Sequence, residues 1–71
     1  MKTFNELRSA IWNNTPLVWN DPDPIEGNDY TITSIASTDG YTDEHDKLSP
    51  ILIQYGNGSE AEIYLHEILK K

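Results

Sequence analysis

The stretch ILIQYGNGSEAEIYL, residues 51–65, carries the strongest structural signal of the chain. Its two halves, 51–55 and 60–65, are rich in apolar and β-branched residues and flank a glycine-containing turn at 56–59. Two such runs around a short turn are typical of a β-hairpin. We therefore predict two antiparallel strands here, joined by a tight loop.

The pairing of these two strands follows from burial. A three-residue loop at 57–59 places Tyr55 opposite Ala61, whereas a loop of even length places Tyr55 opposite Glu60. A slip of one residue exchanges the buried face of a strand for the exposed face, so burial of the isoleucines favours the odd loop. A glycine in or beside the loop suits the left-handed position that odd loops need. The expected partners are then Ile53 with Ile63 and Ile51 with Leu65.

The N-terminal residues predict a helix over 3–13. Thr3 and Glu6 have the spacing of a capping box, in which each side chain satisfies a backbone N–H at the helix start. Phe4, Leu7 and Ile11 recur at helical spacing and share one face. Pro16 ends the segment, since a proline pushes its predecessor out of the α region.

The remaining segments predict two further strands and a closing turn. Strands are expected near 17–19 and 30–36, and a single helical turn at 66–69. Ile35 interrupts the alternation of the second strand, so either its side chain lies on the opposite face or a bulge occurs near Thr33–Ser34. Residues 37–49 form a long polar loop. We expect one small domain, 1–71.

The composition excludes several classes of protein. The chain has five basic and twelve acidic side chains, a formal net charge of −7 and no cysteine. Nucleic-acid binders need Lys and Arg to displace counterions from phosphates, so direct binding to nucleic acid or an anionic membrane is disfavoured. No apolar run approaches the ~20 residues that span a bilayer, and no signal peptide is visible. We expect a cytoplasmic protein without a cofactor.

The C-terminal third resembles the closing hairpin of SH3-like small barrels, including Tudor-type domains. In those folds an apolar strand, a glycine-containing turn and a second strand run into one helical turn that carries a buried aliphatic residue, as in the sequence 51–68. The resemblance implies a mostly β, α+β fold: an N-terminal helix packed on a small, strongly bent antiparallel sheet or SH3-like barrel of four to five strands.

The same resemblance implies a binding face. Aromatic residues on the open face of such barrels bind peptides or, in Tudor domains, enclose methylated lysine or arginine by cation–π attraction. Trp19, Tyr30 and Tyr55 are candidates for this role, with Asp21 or Asp23 adding negative charge. The alternative for the three aromatic residues is packing in the core. A further candidate, expected to be exposed in the polar loop, is Tyr41.

No catalytic or metal-binding constellation is evident. The loop acids and histidine at 39–46 do not have EF-hand spacing, and a solvated acidic loop is the simpler interpretation. Asp21, Asp23 and Glu26 are candidates for an acid–base pair, but prolines alternate with the two aspartates, which indicates an exposed loop instead. We expect a non-catalytic module that binds a protein or peptide, with a basic partner as one option. The alternatives are an acidic mimic of nucleic acid and a structural subunit of an oligomer.

Overall fold

The computed structural model describes all 71 residues as a small α+β domain that is mostly β. Strands β1 and β5 form one antiparallel pair, and β2, β3 and β4 form an antiparallel sheet in that order. Strands β4 and β5 are not paired, so the strands do not close a barrel. The elements are α1 (Phe4–Trp12), β1 (Leu17–Trp19), β2 (Ile32–Ile35), β3 (Ile51–Tyr55), β4 (Ser59–Ile63), a 3-10 helix (Leu65–Glu67) and β5 (Ile68–Lys70).

Helix α1 begins at its predicted cap and packs one face on the sheets. The hydroxyl of Thr3 accepts a hydrogen bond from the amide of Glu6 at 3.1 Å. The buried face of the helix consists of Phe4, Leu7 and Ala10. The helix has nine residues, and no helix of the structure is both long and apolar enough to cross a bilayer.

The hairpin of β3 and β4 has an odd loop, but its centre lies one residue earlier than predicted. Tyr55 pairs with Ser59 and Ile53 with Ala61, so the predicted pairing of Ile53 with Ile63 is wrong. The loop is 56–58, and Gly58 occupies its last position with a φ of +97°. The predicted loop would have put Ser59 at that left-handed position, which favours glycine.

The prediction of which side chains of the hairpin are buried is correct despite this error, because the side-chain period of a strand is two residues. Moving the loop centre by one residue changes each cross-strand partner by two positions, which keeps every side chain on its original face. Ile51, Ile53 and Ile63 are accordingly buried, and Ile51 lies opposite Ile63.

Strand β2 contains a bulge where its alternation breaks. Ile32 pairs with Tyr55 and Ser34 pairs with Gln54, so Thr33 is the extra residue. The bulge lies at the predicted position, and it allows Ile32 and Ile35 both to pack against the core. Regular pairing covers only Ile32–Ile35, which is shorter than the predicted strand.

The C-terminus corrects the bounds of a second prediction. The predicted helical turn at 66–69 is present as the 3-10 helix Leu65–Glu67, and residues 68–70 form the strand β5 instead of continuing the turn. The carboxylate of Glu67 accepts a hydrogen bond from the amide of Tyr64 at 2.7 Å, and this bond caps the start of the short helix. Ile68 is already extended, with a φ of −94° and a ψ of 125°. Strand β1 supplies the pairing partner, from a part of the sequence that local spacing does not consider.

Tyr41 is half-buried rather than exposed, because the polar loop folds back onto α1. Its ring packs edge-on against Phe4 with centroids 5.3 Å apart, and its hydroxyl donates to the carbonyl of Pro50 at 3.1 Å. The guanidinium of Arg8 donates to the carbonyls of Thr38 and Tyr41. Tyr41 therefore belongs to the edge of the core and is removed from the candidate binding face.

Candidate functional site

Three aromatic side chains named from the sequence come together in the structure. Trp19, Tyr30 and Tyr55 form what we call the aromatic cluster. The ring centroids of Trp19 lie 5.5 Å from Tyr30 and 5.0 Å from Tyr55 in edge-on contacts. The rings of Tyr30 and Tyr55 stack at 5.6 Å with an interplanar angle of 14°. All three residues are half-buried, so they contribute to packing and still present surface to solvent.

Backbone pairing between three strands builds this cluster. Trp19 is the last residue of β1, and its amide donates to the carbonyl of Tyr30 at 3.0 Å. Tyr55 is the last residue of β3 and pairs with Ile32, two residues after Tyr30. Residues two apart in extended chain point to the same side, which places both tyrosines beside the indole.

An acidic loop, residues 20–29, begins at Trp19 and ends at Tyr30. Its acidic residues are Asp21, Asp23, Glu26 and Asp29. The hydroxyl oxygen of Tyr30 accepts a hydrogen bond from the amide of Ile25 at 2.8 Å, which ties the middle of the loop to the cluster. The carboxylate of Asp21 accepts from the amide of Asp23 at 2.9 Å and turns the chain. The loop that carries these carboxylates is therefore tied to the cluster through Tyr30.

One polar atom of the aromatic cluster lacks a partner. The indole Nε1 of Trp19 is buried without a hydrogen bond; the only other such side-chain atom is Nε of Arg8. A buried donor without an acceptor costs about 1–3 kcal/mol. An oxygen acceptor that reaches this N–H would recover that energy.

The cluster is closed rather than cage-like. The rings contact one another at separations normal for packed aromatic pairs. None of the five main surface depressions is lined by Trp19, Tyr30 or Tyr55. No space is therefore available between the rings for a methylated ammonium group, and a cation can approach only their outer surfaces.

Asp29 anchors the end of the acidic loop, and folding changes the pKa of its carboxyl group. Its carboxylate accepts a hydrogen bond from the amide of Thr31 at 2.9 Å. Hydrogen bonds from the Thr31 amide and then from its side chain, together with the weaker attraction of Lys71, lower the pKa of Asp29. The folded protein thus binds the Asp29 proton less tightly than the unfolded chain does.

This difference in pKa predicts a pH dependence of stability. Stabilisation by the Asp29 carboxylate is complete above the pKa of the unfolded chain, near 4, and is lost as the pH falls through the lower folded pKa. Asp29→Asn is expected to be less stable than the parent at pH 7, with a difference that closes as the pH falls to about 2. Urea unfolding at a series of pH values measures it. Glu44→Gln, at an exposed position of the polar loop, is the control. A difference that does not depend on pH would contradict the prediction.

Two carboxylates of the polar loop 37–49 accept hydrogen bonds from backbone amides. No group of three or more acidic or histidine side chains is placed to hold a metal ion. The carboxylate of Asp43 accepts from the amide of Phe4 at 2.9 Å, and that of Asp46 accepts from the amide of Thr42 at 2.7 Å. Asp43 thus ties the 37–49 loop to the start of α1, whereas Asp46 stabilises a turn within the loop.

The largest depression, of about 570 Å³, adjoins the N-terminus and contains Glu6 and His66 among its lining residues. These two groups make no hydrogen bond with each other, and the imidazole instead stacks on Tyr64 with centroids 6.2 Å apart. No acid–base pair is therefore assembled in this depression.

The sequence patterns missed a groove between α1 and β2. Ile11 and Trp12 are exposed there although both belong to the helix. The sequence signal for an exposed side chain was the position of Trp12 beside the apolar face of the helix, one residue beyond the last member of that face. A large apolar side chain beyond the stripe has no core position to fill.

Comparison of the chain with models of protein families, with curated proteins and with solved structures found no significant match to any of them.

Proposed function

We propose that this domain is a non-catalytic module that binds a basic peptide on the aromatic cluster and the acidic loop 20–29. The observation that carries the proposal is the meeting of three half-buried aromatic residues with a loop that carries four acidic residues. A peptide guanidinium or ammonium group on the outer face of a ring is attracted by the ring quadrupole, by about 0.5–1 kcal/mol at exposed sites. The net charge of −7 adds long-range attraction for a basic partner.

We further propose that the two sheets are parts of one SH3-like barrel that is open between β4 and β5. Strand β1 pairs with β5 on one side and, on the other, is joined to β2 by the isolated bridge between Val18 and Thr31. This bridge supports a continuous strand order of β5, β1, β2, β3 and β4. In that arrangement the aromatic cluster lies where β1 and β2 meet.

Titration with a blocked Gly-Arg-Pro-Arg-Gly peptide at low ionic strength tests the binding site. We expect the largest changes in amide and indole chemical shifts at Trp19, Tyr30 and Tyr55. The double variant Asp21→Asn/Asp23→Asn is expected to weaken binding about fivefold, since two carboxylates of the loop that adjoins the cluster are lost.

The matched control is Glu60→Gln/Glu62→Gln, which removes the same charge from exposed positions on β4. Binding by this control is expected to stay within about twofold of the parent. If both double variants weaken binding equally, the attraction comes from net charge alone and the proposed site is wrong. Shifts confined to residues outside the cluster and the acidic loop would also overturn it.

A lysine peptide and its trimethyllysine counterpart test the closed form of the cluster. Because the rings already contact one another, the two peptides are expected to bind within about twofold of each other. A preference of about tenfold or more for trimethyllysine would show that the rings open into a cage.

A further inference from the structure

We propose that the groove between α1 and β2 binds an uncharged, extended segment of another protein, which adds to the free edge of β2 as a further strand. This surface uses different residues from the aromatic cluster, and the inference does not depend on the proposed function. It rests on an unpaired strand edge, on exposed apolar side chains beside it and on the absence of charge between them.

The edge of β2 is open because β1 leaves it after one contact. Strand β3 pairs with one side of β2, and the other side has only the isolated bridge between Val18 and Thr31. Before β1 the chain turns away through Pro16 towards α1. No strand therefore pairs with Thr33–Ile35 on the side opposite β3. Unpaired main-chain groups at an edge are the usual docking site for an added strand.

The space beside this edge is a groove of about 310 Å³, with Ile11, Pro16 and Leu17 on one side and Ile32 and Ile35 on the other. A second depression of about 300 Å³ continues from Ile11 and Ile35 past Trp12. Main-chain hydrogen bonds can thus form along the β2 edge while alternate side chains of an incoming strand enter the uncharged groove.

Exposed apolar side chains mark the edge of this groove. Trp12 is 86% exposed and Ile11 is 44% exposed. A tryptophan that contributes nothing to the core is costly to expose, and tryptophan is among the residues most enriched at the energetic centre of interfaces. The two side chains have the position expected of anchors for a bound segment.

The charged residues near the groove indicate which kind of segment is able to bind there. The chain has seventeen charged residues, but none of them lines the first groove. Of the two in the second depression, Arg8 is engaged with the carbonyls of Thr38 and Tyr41, which leaves only Asp39. A charged side chain would lose its hydration there without gaining a partner, so the segment is uncharged. A second copy that docks through its free β4 edge is disfavoured because that edge carries Glu60 and Glu62, and any second copy brings its own charge of −7.

A blocked peptide of six alternating threonine and valine residues, at up to about 1 mM, provides the probe. We expect chemical-shift changes at the amides of Thr33 and Ile35 and slower hydrogen exchange there. A matched peptide with N-methyl groups on alternate residues is expected to bind about tenfold more weakly, because it cannot donate to the strand edge. Equal binding of the two peptides would overturn strand addition.

Variants locate the site without disturbing the core. Trp12→Ala is expected to weaken binding about fivefold or more. Leu48→Ala, at a residue that is 79% exposed on the polar loop, is expected to leave binding unchanged. If sedimentation shows a dimer that Trp12→Ala abolishes, the occupant is a second copy and the proposal is wrong. The proposal is also wrong if the peptide leaves the chemical shifts and the hydrogen exchange of the Thr33 and Ile35 amides unchanged. Both variants must keep the thermal stability of the parent for the comparison to hold.

Discussion

Phe4→Ala is expected to lower the free energy of unfolding by about 3–5 kcal/mol, the range for removal of a fully buried aromatic ring. Phe4 is 1% exposed and belongs to the nine-residue core. Its ring also supports the edge of Tyr41, and the guanidinium of Arg8 lies 5.8 Å from its centroid. The substitution therefore leaves a cavity and loosens the contacts that hold the 37–49 loop to α1.

The loss is large compared with the stability of such a small domain. Folded domains have about 5–15 kcal/mol in total, and a 71-residue chain without disulfides belongs near the lower end. Urea unfolding followed by circular dichroism measures the change. Phe4→Leu, which keeps most of the apolar volume, is the control and is expected to lose clearly less. A loss below about 1 kcal/mol in Phe4→Ala would contradict the packing of this ring in the core.

Gly56→Ala is expected to destabilise the protein by about 2–4 kcal/mol, from backbone strain and a steric clash acting together. Gly56 has a φ of +58°, where any side chain is disfavoured. A Cβ atom there would lie 2.6 Å from the carbonyl oxygen of Asp29, which is a backbone atom. Relief of the clash requires the end of the acidic loop to move, and it strains the hydrogen bond from the Gly56 amide to the carbonyl of Thr31.

Alanine substitutions at two other glycines distinguish the backbone strain from the steric clash. Gly58 has a φ of +97° but open space around a Cβ, so Gly58→Ala measures strain alone. Gly40 has neither a positive φ nor a close neighbour, and Gly40→Ala is expected to change stability by less than about 0.5 kcal/mol. The expected order of destabilisation in urea is Gly56, then Gly58, then Gly40. If Gly56→Ala is no worse than Gly58→Ala, the close approach of the Asp29 carbonyl is wrong.

The Gly56 variant also bears on the proposed binding site. The contact between Gly56 and Asp29 joins the hairpin to the acidic loop, next to Tyr55 in one segment and Tyr30 in the other. Moving the loop end shifts Tyr30 relative to Tyr55. We therefore expect Gly56→Ala to weaken binding of the arginine peptide under conditions where the variant stays folded, and Gly58→Ala to affect binding less.

The two proposed binding surfaces can be contradicted independently of each other, because their tests use different peptides and different variants. The arginine peptide and the Asp21/Asp23 variant report on the aromatic cluster, and the uncharged peptide and the Trp12 variant report on the β2 edge. If both surfaces bind, the domain is able to hold two partners at once, one recognised by its cations and the other by its main chain.

Local patterns were enough for features that depend on neighbouring residues. The cap at Thr3, the bulge at Thr33 and the buried face of the hairpin each follow from spacing within a few positions. The buried face was correct even though the cross-strand partners were not, because a two-residue change of partner preserves the face of every side chain. The grouping of Trp19, Tyr30 and Tyr55 was expected only through the resemblance to SH3-like barrels.

The sequence by itself determined which side chains are able to form a core, where the chain turns and the acidic character of the surface. The tertiary structure decided what local spacing cannot contain: that residues 68–70 extend beside β1 and that Tyr41 packs on Phe4. Each of these depends on a partner far away in the chain. The free energy of pairing or burial is available only after folding has brought that partner close, so it overrides the weaker local preference.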